Sequence, residues 1–145
     1  MENNFFDGAD LINAYSLQNA LDDGVILCLS TKKGHENDCR QFYKVPVYIT
    51  ENLYNKHVEA AKKLYPTNSI HDQEAVEKTV GWTIFDMLNM SRTLFTELSP
   101  QVRQFEYHLQ ATPDTFQDKT IKNIAVSGPG LAGEHIITFM LPEEQ

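Results

Sequence analysis

The sequence predicts an α+β fold: an antiparallel sheet, built from a C-terminal three-strand meander plus an N-terminal strand, packed against two main helices. Three observations predict it. Apolar residues recur at helical spacing through the middle of the chain, the period changes to alternation after Pro100, and the alternating stretches are joined by short connections. A chain of 145 residues is near the usual size of one domain. Residues 10 to 145 are therefore read as a single domain behind a flexible arm at residues 1 to 9.

Ser16 is placed to cap a short helix through Leu17, Ala20 and Leu21, which Asp22-Asp23-Gly24 stops. The apolar run Val25 to Leu29 reads as a buried strand. The polar stretch from Ser30 to Lys44 is expected to form an exposed loop with little regular structure. Val45 to Ile49 is β-branched and aromatic, but Pro46 cannot donate to a ladder, so an edge strand is expected there. Thr50 caps a helix whose apolar face is Leu53, His57, Ala60, Ala61 and Leu64, and Pro66 ends it. The longest helical stripe runs from about Asp72 to Leu98, through Val76, Val80, Ile84, Met87, Leu88, Leu94 and Phe95. Trp82, in its centre, is expected in the core. Strands follow at Val102 to Leu109, Ile121 to Val126 and His135 to Leu141.

Composition narrows the function classes. The hydrophobic and charged fractions, 41% and 22%, are those of a globular chain rather than a disordered one. A net charge of -8 argues against general affinity for nucleic acid, which needs Lys and Arg to displace counterions. It suits solubility or a basic protein partner. Met1 to Asn4 carries no positive charge and no apolar core follows, unlike a signal peptide. No apolar run approaches the roughly 20 residues of a membrane span. A cytoplasmic protein is the expectation.

Several constellations invite a chemical reading. Gly128-Pro129-Gly130-Leu131-Ala132-Gly133 satisfies G-x-G-x-x-G, yet a dinucleotide site needs that motif between a strand and a helix. Here a strand follows, so a hairpin with glycines at positive φ is expected. His35 and Cys39, with Cys28 and His57, lack the paired spacing of a zinc site, and no metal or cofactor is expected. Cys39, in a polar loop between Asp38 and Arg40, reads as a surface cysteine, and Cys28 as a buried one. Asp10, Asp22, Asp23, Asp72, Glu74 and Asp86 each have a capping or surface explanation, and no catalytic residue is assigned. Lys32, Lys33, Arg40 and Lys44 form a cationic cluster in the 31 to 44 loop that could hold phosphates. Tyr43, Tyr48 and Tyr54 are candidates for an aromatic recognition patch, with Gly128, Gly130 and Gly133 a further binding candidate.

Three stretches carry a resemblance: Asp10 to Ser16 with Ala20 to Val25, Val45 to Thr50, and Gly128 to Gly130 with Gly133 to Pro142. The chain resembles a family of small proteins of unknown function encoded by phages, plasmids and other mobile elements. It departs from that pattern at Tyr15-Ser16-Leu17 and between Glu74 and Val80. The resemblance implies a setting and no activity. Three functions follow as expectations. The first is a non-enzymatic inhibitor that binds a host defence or nucleic-acid-handling protein. The second is a sponge, in the form of a small oligomer, that sequesters a signalling nucleotide. The third is a cryptic hydrolase.

Overall fold

A computed structural model describes residues 17–109 and 120–145. Its strands are β1 (Ile26–Cys28), β2 (Val47–Thr50), β3 (Phe95–Ser99), β4 (Val102–His108), β5 (Thr120–Pro129) and β6 (His135–Met140). They form one six-stranded sheet in the order β1-β2-β6-β5-β4-β3. Its helices are α1 (residues 17–22), α2 (Glu36–Phe42), α3 (Glu51–Leu64) and α4 (Ile70–Thr93). The α+β class holds, and β4, β5 and β6 form the expected antiparallel meander. The sheet as a whole is mixed, because β2 pairs with β6 in parallel.

Alternation sorts the strand residues between two faces. Val47, Ile49, Phe105, Tyr107, Ala125 and Phe139 point to the helical side and form the main core with Leu53, Ile84, Met87 and Leu88. On the other face, Tyr48 and Ile136 bury Leu17 of α1. Val102, Ile124 and Val126 make a second small cluster there. The arm at residues 1 to 9 and the Ser16 cap lie outside the described residues. Gly24 has φ +76, as its helix-stopping place requires.

Four expectations are corrected, the last being the place of Trp82. First, β2 is an interior strand, flanked by β1 and β6. Pro46 stands one residue before the ladder, so its missing donor costs nothing. Its neighbour Val47 donates its N–H to Ser30 Oγ at 2.7 Å, and Ile137 N–H reaches the Pro46 carbonyl at 3.1 Å. Secondly, the stretch 30 to 44 is structured: a 3₁₀ turn (Leu29–Thr31) precedes α2. His35, Cys39 and Tyr43 are spaced by four and are all buried, which gives α2 an inner face.

Thirdly, α4 stops at Thr93, and Phe95–Ser99 is the edge strand β3 rather than a last helical turn. Pairing with β4 across a tight turn at Pro100 overrides the helical spacing of Leu94, Phe95 and Leu98. Trp82 is 63% exposed rather than in the core. It stands two positions from Val80, about 200° round the helix from the buried stripe of Val80, Ile84, Met87 and Ser91.

Candidate functional site

Where the helical layer ends, the sheet carries a cleft of about 700 Å³. Its floor consists of helix-facing residues of β4, β5 and β6. Small side chains at Ala125 and Ser127 leave the space open, and Ile137 lines it beside them. One wall is the end of α2 with the extended segment that follows it, Arg40 to Val45. The other is the end of α4, at Arg92, with the turn at Pro100 and Gln101.

Cations converge on this cleft. Arg40, Lys44, Arg92 and Arg103 line it together with His135, and among the described residues none that lines it is Asp or Glu. The chain has three arginines, and all three are here. Among the described residues, no carboxylate comes within 4.0 Å of these four cations. Glu97, which pairs with Arg103 in the strand register, is exposed and does not line the cleft.

The arginines are positioned by neutral groups instead. The Arg92 guanidinium lies 5.1 Å from the Tyr43 ring centroid, and that of Arg103 lies 4.3 Å from the Phe95 ring centroid. Arg103 Nη1 donates to the Ser91 carbonyl at 3.4 Å, and Arg40 Nη2 to Asn37 Oδ1 at 2.5 Å. Ser91 Oγ donates to the Leu88 carbonyl at 2.7 Å, so the Tyr43 hydroxyl donates to Ser91 Oγ, also at 2.7 Å. Burial pushes the Tyr43 phenol above its ordinary pKa, against the opposing pull of Ser91, Arg103 and Arg92. It therefore stays neutral beside the cations. Ser127 Oγ and His135 Nε2 hydrogen-bond to each other at the rim.

Of the residues singled out from the sequence, Arg40, Tyr43 and Lys44 meet in this cleft. Lys32 lies elsewhere, 5.1 Å from the Tyr54 ring centroid, and the Tyr54 hydroxyl bonds His35 Nε2 at 3.1 Å. Lys33 is exposed, and Tyr48 is on the opposite face of the sheet. The loop of Gly128, Gly130 and Gly133 is a β5–β6 hairpin, with positive φ only at Gly133 (+83). Three of its N–H groups are turned inward: Gly130 N–H donates to the Glu134 carbonyl at 2.6 Å, Gly133 N–H to the Gly130 carbonyl at 3.1 Å, and Ala132 N–H to the Glu134 carboxylate at 2.9 Å.

Arg92, Arg103, Ser127 and His135 were not singled out in the sequence. One signal was present for Arg103. By alternation it shares a face with Phe105 and Tyr107, and a cation on the core face of a strand marks a cavity or a partner.

The other chemical candidates resolve differently. Cys39 is buried, not a surface cysteine, and Cys28 is half-buried. Burial pushes the Cys39 thiol up to about 12, so it is no nucleophile near neutral pH. Among the described residues, no three His, Cys, Asp or Glu side chains are grouped to hold a metal ion. Asp72 accepts from Thr67 N–H at 2.9 Å, Asp86 from His108 N–H at 3.0 Å, and Asp22 from Gln18 Nε2 at 2.8 Å. Asp10 lies outside the described residues.

Beneath the sheet centre, Asn123 Nδ2 donates to the Tyr107 hydroxyl at 2.5 Å, and that hydroxyl bonds His57 Nε2 at 2.6 Å. Burial pushes the His57 imidazole down to about 3 and the Tyr107 phenol well up, so both stay neutral. No helix among the described residues is long and apolar enough to cross a membrane.

Comparison with curated proteins and with solved structures finds no match. Residues 1–145 match a family of unknown function, DUF6573, and the chain belongs to that family.

Proposed function

We propose that this protein is a non-enzymatic binding module that sequesters a phosphate-bearing small molecule, a nucleotide, in the basic cleft. One observation carries the reading: a chain of net charge -8 gathers all of its arginines, and Lys44, round one cavity that no acidic side chain lines among the described residues. Holding unpaired like charges together costs free energy unless an anion occupies the space between them. Arginine's planar fork matches phosphate oxygens bidentately, which is why it, rather than lysine, recurs at such sites. A cavity of about 700 Å³ is in the size range of small-molecule sites, and Phe42 and Tyr43 supply apolar surface for a base. In the phage or mobile-element setting that the resemblance implies, the ligand is a signalling nucleotide of the host cytoplasm.

The test is the melting temperature of the purified protein against nucleoside mono- and triphosphates, cyclic dinucleotides and pyrophosphate, at low and moderate salt. A nucleotide at 100 times its Kd would stabilise the fold by about 2.7 kcal/mol. The shift should vanish in an Arg92→Glu, Arg103→Glu variant. A flat panel would sink the reading.

A second reading rests on the remaining surface. Among the described residues, four basic side chains are drawn into the cleft, and fifteen acidic residues face seven basic ones elsewhere. Such a surface suits a basic groove on a host defence or nucleic-acid-handling protein, which it would block as an inhibitor. Salt-sensitive capture of such a protein, competed by duplex DNA and unaffected by the cleft variant, would favour this reading.

A further inference from the structure

A second groove, of about 270 Å³, lies on the solvent face of α4. It is lined by Lys78, Gly81, Trp82 and Phe85 of α4 and by Asp38 of α2. Trp82, the chain's single tryptophan, is 63% exposed there. Beside it Gly81 leaves a hole: a Cβ built at this position would meet nothing within 4 Å. Lys78 and Asp38 flank the groove, but they are not within 4.0 Å of each other.

The four helical residues are spaced i, i+3, i+4 and i+7, which makes one stripe. That stripe is its own complement. If a second α4 is laid antiparallel, with the two-fold axis between Gly81 and Trp82, each Trp82 lies opposite the other copy's Gly81. Each Lys78 then lies opposite the other copy's Phe85. The large ring thus meets the vacant position, and the ammonium meets an aromatic face. The glycine allows the helix axes to approach at the short end of the packing range. Among the described lining residues one anion, Asp38, balances one cation, Lys78, so two copies of a chain of charge -8 can meet here without adding like charge to like. Asp38 stands one turn before Phe42, whose ring packs on Phe85 with centroids 5.1 Å apart, so each lysine, set opposite the partner's Phe85, is also carried towards the partner's Asp38.

We propose that this groove is the interface of a homodimer, formed by antiparallel α4 helices about a two-fold axis at Gly81 and Trp82. It is distinct from the basic cleft, and it stands whether or not the cleft binds a nucleotide.

The experiment is sedimentation velocity over a dilution series, with the emission of Trp82 recorded on the same samples. The wild type should shift from monomer to dimer as concentration rises, and the emission should move to the blue in step as the indole leaves water. Trp82→Ala, or Gly81→Phe to fill the hole, should raise the dimer Kd at least tenfold with the circular dichroism spectrum unchanged. Lys78→Asp and Asp38→Lys should each weaken the dimer, and the double swap should restore it. A monomer at every concentration would overturn the proposal. So would a dimer indifferent to Trp82→Ala and Gly81→Phe, or a double swap that fails to recover association.

Discussion

His57 shows what a fully buried imidazole does to the pH dependence of the whole fold. Unfolded, it titrates near 6.5; folded, burial holds it down to about 3. The unfolded chain therefore takes up a proton that the native state refuses. The resulting stability is complete above pH 6.5 and is lost progressively as pH falls towards 3. Over that window the slope approaches about 1.4 kcal/mol per pH unit from this residue alone. His35, also shifted down by burial, acts in the same direction. Urea denaturation between pH 7 and pH 4.5 should show the loss, and a His57→Gln variant should show a shallower slope. The Tyr107 hydroxyl bridges His57 and Asn123, so Tyr107→Phe leaves two buried polar groups without their shared partner. A cost of about 1–3 kcal/mol is expected from the denaturation midpoint. At the cleft, Arg103→Lys separates charge from shape: it keeps the cation and discards the fork. On the proposed nucleotide-binding reading, affinity measured by titration calorimetry should fall about tenfold.

At the scale of elements, α3 is tied at its start to a distant part of the chain. Thr50 Oγ1 accepts from Leu53 N–H at 3.3 Å as the helix cap and donates to Glu144 Oε1 at 2.8 Å. Glu144 also accepts from Asn52 Nδ2 at 3.1 Å and from Leu141 N–H at 2.9 Å. Thr50→Ala should cost about 0.5–2 kcal/mol, and thermal melts should place it towards the upper end, because cap and latch are lost together. The cap itself was legible in the sequence, as were the body of α3, the body of α4 and the three strands of the meander. Each rests on a local signal: a hydroxyl before an apolar face, a 3.6-residue stripe, an alternation. What misled was non-local. Leu94, Phe95 and Leu98 fit a helical stripe as well as they fit a strand, and only the pairing with β4 decides between them. Pro46 reads as an edge signal until β6 is seen to take up its carbonyl. The cleft was half legible for the same reason. Arg40, Tyr43 and Lys44 are neighbours in sequence, whereas Arg92, Arg103 and His135 join them only through the fold.

For the molecule as a whole, the strand order decides what depends on what. β6 is sixth in chain order and third in space, joining β1 and β2 on one side to β5, β4 and β3 on the other. Its Phe139 is wholly buried, with ring centroids 5.8 Å from Phe105 and 6.0 Å from Tyr43, so it touches both halves. Phe139→Ala should cost about 3–5 kcal/mol, and far-ultraviolet and aromatic circular dichroism should still melt at one temperature. In folding the same arrangement has another consequence. Until β6 is in place, β2 and β5 each present an unpaired edge where it belongs. Such edges are templates for any strand of the right pattern, including β6 of a second copy. A chain caught before β6 docks is therefore open to strand exchange and aggregation at two edges at once.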